Sequence, residues 1–474
     1  MTRMPRPFAT ALAAVAALAL TTSAAAAPAA PAADEVPSPL ALNWTKTTPV
    51  PVPVGPGVTR TTWTETRPDN RPDGEGRVLQ VVEIDPAVAA LTLGSTVGTD
   101  DATSQTVADQ LATVSSVASR HPYAGVNGGL FQPELAIGTA APRVVHTSAT
   151  AADGVLHSAA CWDAAGKGST GAVLQYGIPY ITRLGTDLRL TAPSGDTVRV
   201  DDLDRTPGRI PHCPRDAEDT LVSGATGPRV HQDPDEIVVF TDDYGVATPK
   251  PYADPLVPAT ADPGYEVVLD AYGVVTDAHP GRGGITVPAG GRILQGVGTG
   301  AEWLRTHLAR DDRAVLDLRL RDMTLNRDIP LDASVDVVSS FHRLLRTGDV
   351  PPATELPNSC NDGSRLGTDG VTYLCTDSRT ALATNIKGNP VLLTLTGGPG
   401  REDGDYLRGF AALIDSKELS LVDAINLDGG GSTTLMTGTE VLTPPTDTQA
   451  GVKVHRRVAD AVYAGVGGYG MYAK

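Results

Sequence analysis

Most of the chain consists of short apolar runs punctuated by Gly, Pro and Asp, but some segments carry helical spacing. Between Ser104 and Ala118 the apolar residues recur at intervals of four, three and four, which predicts an amphipathic helix with Ser104 or Thr106 as N-cap. A second helix is predicted at Thr299–Arg310, whose apolar residues share one face, and a third at Asp405–Ser416.

The remaining apolar runs have the length and turn signals of β-strands. Arg77–Leu93 predicts two strands joined by a turn, and Tyr123–Phe131 predicts a short strand that runs into a glycine turn. The middle of the chain predicts an antiparallel β region with strands at Gly171–Tyr180, Asp187–Leu190, Thr197–Val200, Glu236–Phe240, Tyr265–Leu269, Gly284–Val287 and Ala314–Leu320. The last third predicts strands at Thr380–Asn385, Val391–Thr396, Asp423–Asp428 and Lys453–Val466.

Because the two classes of element alternate, we expect an α+β fold: a mixed-sheet core with helices and a long β-rich middle section. Residues 57–145 and 351–474 should form two parts of one core, and residues 146–350 the section between them. The length of 474 residues alone would favour two or three domains.

The N-terminal segment has the order of charges and apolar residues that is typical of a secretory signal peptide. Arg3 and Arg6 precede an apolar stretch from Phe8 to Leu20 and a small-residue run, so residues 1–27 are predicted to direct export. The stretch is too short to span a bilayer stably. Residues 28–56 are rich in Ala and Pro and predict an extended tether.

The charge balance excludes one class of partner. The chain has 38 basic and 55 acidic residues, a formal net charge of −17, and loss of Arg3 and Arg6 with the signal peptide gives −17 − 2 = −19. This balance argues against nucleic acid, which needs a basic face. The sequence specifies no oligomeric state.

Four cysteines lie outside the predicted signal peptide, as suits an oxidising compartment. They allow three disulfide connectivities. We favour Cys360–Cys375, which brackets a polar, Gly-rich excursion, together with Cys161–Cys213.

The strongest chemical signal is the segment from Asp423 to Thr434. In a strand, Asn426 and Asp428 share one face, so two polar groups point together at its end. The three residues that follow, Gly429, Gly430 and Gly431, allow close backbone approach to a ligand, and their N–H groups could bind an anion. Ser432 and Thr433 could donate further hydrogen bonds. The alternative is a tight structural turn.

A similar pattern, an apolar strand followed by an amide and glycines, occurs at Asn127, Gly128 and Gly129. By itself Asn-Gly is a common hairpin turn. Arg379 and the pair Arg456-Arg457 lie at predicted strand starts, where a guanidinium could bind phosphate through two hydrogen bonds. The alternative for each arginine is a solvated surface charge.

Other chemistries lack their motifs. The sequence contains no HExxH, no GxSxG and no GxxxxGK[ST]. No cofactor is required by any motif. Acidic clusters such as Asp201-Asp202-Asp204 and Glu402-Asp403-Asp405 could hold a divalent cation, Ca²⁺, but the full EF-hand pattern is missing and we favour solvated loops.

The motifs, taken in order, resemble those of the phosphodiester glycosidase family. The resemblance rests on Asn127–Phe131, Arg379–Ala381, Asn426–Thr434 and Arg457-Val458, and it extends over roughly Arg77–Val466. It implies hydrolysis of a sugar-1-phosphodiester to free sugar and a phosphomonoester. Where such proteins commonly carry Asp-Gly-Arg, this chain has Gly398-Pro399-Gly400-Arg401.

On this resemblance Asp428 acts as base or nucleophile, and Asn127 and Asn426 orient sugar hydroxyls. The glycine loop, Arg379 and Arg457 hold the phosphate. The partner is then a phosphosugar or glycan. Two other functions remain open: a metal-dependent phosphodiesterase that breaks P–O, and a non-catalytic secreted protein that binds envelope or wall polymers. An aromatic content of 4% weakly disfavours the second.

Overall fold

In the computed structural model, two large antiparallel sheets and several smaller ones make up the folded chain. The structure describes residues 39–66, 76–88, 91–117, 119–134, 143–163, 168–222, 229–356, 365–366, 372–373, 377–397 and 404–467. Sheet I combines strands from both ends of the chain. In spatial order these are Trp44–Lys46, Val58–Glu65, Val78–Ile84, Pro390–Thr396, Arg379–Asn385, Leu421–Asn426 and Arg343–Leu345, with Val52–Gly55 also paired to Val58–Glu65.

Sheets II and III come from the middle of the chain. Sheet II has the order Val155–Ser158, Thr150–Ala152, Val335–Ser339, Ser169–Gln175, Ile178–Thr191, Val315–Asp322 and Arg327–Ile329, with Thr197–Arg199 also paired to Ile178–Thr191. Sheet III has the order Asp202–Leu203, Ile237–Thr241, Arg292–Gly296, Tyr265–Leu269 and Val275–Pro280.

Sheet IV again joins distant segments. Its order is Glu440–Val441, Leu435–Thr437, His121–Asn127, Ala461–Val466 and Leu91–Thr96. Smaller sheets pair Arg209–Pro211 with Val230–Gln232 and Thr220–Leu221, Phe131–Glu134 with Arg143–His146, Asp447–Gln449 with Val452–Val454, and Arg365–Leu366 with Thr372–Tyr373.

Helices are few and short in the described part of the chain. The α-helices are Pro39–Asn43, Val107–Ser116, Gly298–His307 and Leu407–Ile414, and the 3₁₀ turns are Asp242–Tyr244, Pro258–Ala261 and Gly430–Ser432. Thr106 caps the helix Val107–Ser116, because its hydroxyl accepts a hydrogen bond from the Asp109 N–H. None of these helices is long and apolar enough to cross a bilayer.

Sheet I is buried on both faces, and this explains why its central strands are apolar without alternation. One face, which includes Leu393 and Leu395, packs on the helix Leu407–Ile414 through Phe410. The opposite face, which includes Leu392, packs against residues of sheets II and IV. The sheets therefore meet around one interior, and the strands of sheets I and IV end close together.

The predicted α+β fold with a mixed sheet is wrong. About 46% of the chain is strand and 11% helix. The pairing is antiparallel throughout the described residues except between Asp202–Leu203 and Ile237–Thr241. The predicted helices do form, but they are short and pack on β-sheets. The spacing of apolar residues along the chain does not show how many strands belong to each sheet.

Several element predictions need correction. Lys453–Val466 is not one strand: it splits into Val452–Val454 and Ala461–Val466, and the loop between them carries Arg456 and Arg457. Gly284–Val287 forms only an isolated bridge. Gly171–Tyr180 spans parts of two strands, because Tyr176 and Gly177 adopt positive φ angles and form a hairpin turn.

The predicted tether also differs from the structure. Residues 39–56 include a helix and two strands, and the side chains of Leu40 and Trp44 are buried. The prediction rested on the Ala/Pro composition of the segment. It did not account for Leu40 and Trp44, whose side chains pack into the apolar core on one face of sheet I. Residues 1–38 lie outside the described part.

The Cys161–Cys213 disulfide is present, with the two Cα atoms 5.6 Å apart. Cys360 and Cys375 lie outside the described residues, as does Gly398–Arg401.

Candidate active site

The two glycine motifs, about 300 residues apart in sequence, are in direct contact. The Asn127 side chain is fully buried where the strand His121–Asn127 ends. Its Nδ2 donates to the Asp428 carbonyl at 2.7 Å, and its Oδ1 accepts from the Thr380 hydroxyl at 2.8 Å and from the Thr434 N–H at 3.1 Å. One amide therefore connects sheet IV, sheet I and both ends of the second glycine motif.

The glycine loop makes most of its hydrogen bonds within the protein. The Gly429 N–H donates to Asp428 Oδ1 at 2.9 Å, and the Gly430 N–H donates to the Ser378 carbonyl at 2.8 Å. These two N–H groups are directed at protein acceptors, so they do not form the open anion cradle that the sequence predicts.

The absence of side chains at two glycines makes room for charged groups. A Cβ at Gly128 would overlap the carboxyl group of Asp460, which accepts a hydrogen bond from the Gly129 N–H at 2.9 Å. A Cβ at Gly431 would overlap the guanidinium of Arg456. The motif glycines are therefore required for the close approach of side chains from the loop 455–460.

A cavity of about 1120 Å³ opens over this junction. Its wall includes Asp428 and the glycine loop. The charged and titratable side chains that line it are Asp377, Asp428, Asp447, His212, His455, Arg456 and Arg457. Of the residues predicted as site residues, the cavity wall contains Asp428, Gly429, Gly430, Gly431, Ser432 and Arg457.

Asp428 is a carboxylate of the cavity wall whose pKa is shifted. Burial raises the pKa of its carboxyl group to about 6, and the buried Asp460 carboxylate pushes in the same direction. The Ser432 hydroxyl, the Arg456 guanidinium and the Gly429 N–H oppose this rise. A carboxylate with a pKa near neutrality can act as a base or nucleophile at neutral pH and still exchange protons readily.

Three predicted site residues lie behind the wall. Arg379 is fully buried, and its Nε donates to the Asp405 carbonyl at 2.8 Å. Burial lowers the pKa of Arg379, while Asp377, Asp405 and Asp428 oppose the shift.

The second of these residues, Asn426, is fully buried, and its side chain donates to the Leu427 carbonyl at 2.6 Å. Asn127 is the third, and its side chain donates a hydrogen bond to the Asp428 carbonyl. Gly128, Gly129 and Thr433 are also absent from the cavity lining.

Arg456, which the sequence named as a candidate phosphate ligand, forms a two-pronged ion pair with Asp447, at 2.9 and 2.7 Å, which holds the guanidinium over the glycine loop. The sequence analysis missed other residues of the cavity. Asp377 supplies a second carboxylate in the wall. Its position directly before Ser378-Arg379 was the only sequence signal for it.

His212 had no sequence signal at all. Its ring stacks on Phe341 with centroids 4.2 Å apart, and its φ is +61°. Burial, aided by the nearby Arg229 and Arg215, lowers its pKa to about 4. Its ring lines the cavity, but both ring nitrogens are buried and have no hydrogen-bond partner among the described residues.

Residues 264–464 match the phosphodiester glycosidase family. The match contains Arg379 and Asn426–Thr434, and it confirms the resemblance that the motifs indicate. Asn127 lies outside the matched range. A search of curated proteins finds no match.

Two solved structures share the fold. A protein of Burkholderia pseudomallei is 24% identical, with a TM-score of 0.65 over 82% of this chain and 74% of its own. A protein of Synechocystis is 18% identical, with a TM-score of 0.53, and this chain covers 62% of it, less than two thirds, using 86% of its own length. The catalytic domain of zebrafish N-acetylglucosamine-1-phosphodiester α-N-acetylglucosaminidase is 11% identical, with a TM-score of 0.36 over 89% of this chain and 88% of its own, too distant to support an argument.

Proposed function

Since residues 264–464 match the phosphodiester glycosidase family, we propose that this chain hydrolyses the glycosidic C–O bond of a sugar-1-phosphodiester. The products are free sugar and a phosphomonoester. The observation that carries the proposal is Asp428, a carboxylate of raised pKa in the wall of a large cavity whose rim also bears arginines.

The leaving group explains why this set of residues suffices. An ordinary glycosidase needs a carboxylic acid to protonate a poor alkoxide leaving group, and a second carboxylate as base or nucleophile. A phosphomonoester leaves with little protonation, because its negative charge is already spread over several oxygens. Cationic groups around the phosphate can then replace much of the work of the acid.

In this mechanism Asp428 attacks the anomeric carbon or activates the water that does so. Its ionised form is required, and a pKa of about 6 leaves most of it ionised at pH 7. Asp377 lies in the same wall, near Gly430, and is the candidate second carboxylate. If Asp428 is the nucleophile, a covalent glycosyl intermediate forms and water then hydrolyses it, so configuration is retained; if Asp428 deprotonates the attacking water, configuration is inverted.

The phosphate lies against the part of the cavity wall that contains Arg456 and Arg457, the arginine side of the cavity. Arg456, held by Asp447, and the exposed Arg457 offer guanidinium groups there. Because the chain has a net negative charge, which repels phosphate, this local positive charge must attract the phosphate against that repulsion. Arg379 contributes its charge from behind Asp428.

Asn127 and Asn426 are positioning residues in this account. Asn127 holds the Asp428 carbonyl and the Thr434 N–H, and so fixes both ends of the loop that presents the carboxylate. The expected contact of these amides with sugar hydroxyls is replaced by this indirect role.

The disulfide and the N-terminal segment support export. An extracellular location suits phosphodiester-linked sugars of the cell envelope, and we propose these as the substrate class. The chain would then act on a phosphosugar or glycan outside the cell.

The direct test is incubation of the purified chain with a GlcNAc-1-phosphodiester while free sugar is measured. Asp428→Asn should abolish release of sugar. The control is Asp423→Asn, because Asp423 lies in the strand that leads to Asp428 but pairs with Arg343 and is not part of the cavity wall; this variant should keep its activity. Equal activity of wild type and Asp428→Asn would refute the assignment of Asp428.

A further inference from the structure

A second polar centre lies in the interior, apart from the cavity. Asp101, His157 and Asp204 are each about 2% exposed, and their ligand atoms lie within 4.8 Å of one another. Asp101 follows the last strand of sheet IV, His157 lies in sheet II, and Asp204 follows the first strand of sheet III. Three sheets thus each contribute one side chain to one point.

His157 lacks a partner at this point. Its Nδ1 has no hydrogen-bond partner among the described residues, although it lies 3.7 Å from Asp101 Oδ1. That separation is too long for a hydrogen bond. A buried ring nitrogen without a partner costs free energy unless something else occupies the space in front of it.

In the part of the chain that the structure describes, neither of the two carboxylates, Asp101 and Asp204, is paired with Lys or Arg, although Asp101 is paired with His146. His146 donates from Nε2 to Asp101 Oδ1 at 2.8 Å. Asp204 accepts from the N–H and the hydroxyl of Thr241 at 2.8 and 2.9 Å.

The neighbouring acidic groups differ in this respect. Asp201, Asp216 and Asp233 form one such group, and Asp219, Asp233 and Glu236 another. Arginines enter both: Arg199 pairs with Asp216 at 2.7 Å, and the buried Arg205 pairs with Glu236. Arginine ion pairs therefore already balance these clusters, whereas no arginine in the described part of the chain forms an ion pair with Asp101 or Asp204.

We propose that Asp101, His157 and Asp204 bind one divalent cation, Zn²⁺ or Mn²⁺, that links three sheets. One imidazole nitrogen and two carboxylate oxygens suit these ions, whereas Ca²⁺ takes oxygen ligands. The hydrogen bonds from His146 and Thr241 orient the ligating carboxylates from the outer shell. The sequence-based Ca²⁺ cluster Asp201-Asp202-Asp204 is not one site, because Asp202 pairs with Arg205 and Arg215.

The test uses the full chain without a histidine tag. Metal content is measured by mass spectrometry after purification, and Tm is measured after chelation and after addition of Zn²⁺, Mn²⁺, Ca²⁺ or Mg²⁺. We expect about one equivalent of Zn²⁺ or Mn²⁺ per chain, and a rise in Tm on addition of that ion to the chelated protein.

Asp204→Asn should lower bound metal at least tenfold and remove the rise in Tm, because the amide keeps the contacts with Thr241 but loses the charge. Asp233→Asn, in an arginine-balanced cluster, should leave both unchanged. If Asp204→Asn does not fold, His157→Gln is measured instead. Wild-type protein without either metal and without any rise in Tm, or full metal retention in the folded variant, would overturn the proposal.

Discussion

At the scale of single residues, the electrostatics of Asp428 make a kinetic prediction. Because the ionised carboxylate is required and its pKa is raised to about 6, kcat/KM should fall about tenfold per pH unit below pH 6 and level off above it. The measurement is a pH profile of sugar release. A profile that stays flat down to pH 4.5 would show that another group limits the reaction.

The raised pKa of Asp428 also affects the stability of the folded protein. A carboxyl group whose pKa is raised from 3.8 to about 6 binds protons more tightly in the folded state, so its ionisation destabilises the fold as pH rises from about 4 to 6. Asp428→Asn should therefore be more stable than wild type above pH 6, by about 1–3 kcal/mol, and similar near pH 4. Tm measured against pH for both proteins checks this. Parallel curves would contradict it.

Gly431 tests the arginine side of the cavity. In Gly431→Ala the new methyl group displaces the Arg456 guanidinium, which is the end of a flexible side chain, so the fold should survive while the pairing with Asp447 is lost. We expect kcat/KM to fall about tenfold, which is typical of one charge-assisted contact. Arg456→Ala should show a similar loss. If Gly431→Ala reduces Tm but not kcat/KM, the arginine does not contact substrate.

At the scale of elements, Asn127 joins segments that are far apart in sequence. Asn127→Ala should lower the free energy of unfolding by about 2–4 kcal/mol, because it leaves the Asp428 carbonyl and the Thr434 N–H without this partner in the interior. Thr380→Val removes only one of the three hydrogen bonds and should cost about 1 kcal/mol. Urea unfolding of both variants gives the comparison, and equal losses would contradict the network.

Elements with a clear local pattern were predictable. The helix predicted at Ser104–Ala118 occurs at Val107–Ser116, capped by Thr106, one of the two N-cap candidates. The strands predicted at Thr380–Asn385 and Val391–Thr396 also form, and they pair with each other. The division of Lys453–Val466 into two strands was not predictable. The loop between the strands places Arg456 and Arg457 in the cavity wall, and the local sequence does not indicate the cavity. Likewise, periodicity gave no sign that Asn127 would face the protein instead of a ligand.

At the scale of the whole molecule, the Cys161–Cys213 disulfide closes a separation of 52 residues. Chain entropy assigns such a closure about 4 kcal/mol. The double variant C161S/C213S should lose stability on that order, with a clearly lower Tm. Any further effect of a reducing agent on this variant then reports Cys360 and Cys375. An unchanged Tm would contradict a structural role for the bond.

Architecture was the least predictable level. Sheets I and IV depend on pairings such as Val391–Glu83 and Ala461–Asn127, which join segments more than 300 residues apart, and the local spacing of apolar residues does not indicate them. The sequence assigned the two glycine motifs to two parts of one core, whereas the cavity residues His212 and Asp377 could be found only from the folded structure.

The central claim is cleavage of C–O in a sugar-1-phosphodiester, and the most direct measurement is hydrolysis in ¹⁸O-labelled water with mass analysis of both products. The account predicts label in the free sugar and none in the phosphomonoester. Label in the phosphate would mean P–O cleavage and would contradict the assignment of this chain as a glycosidase.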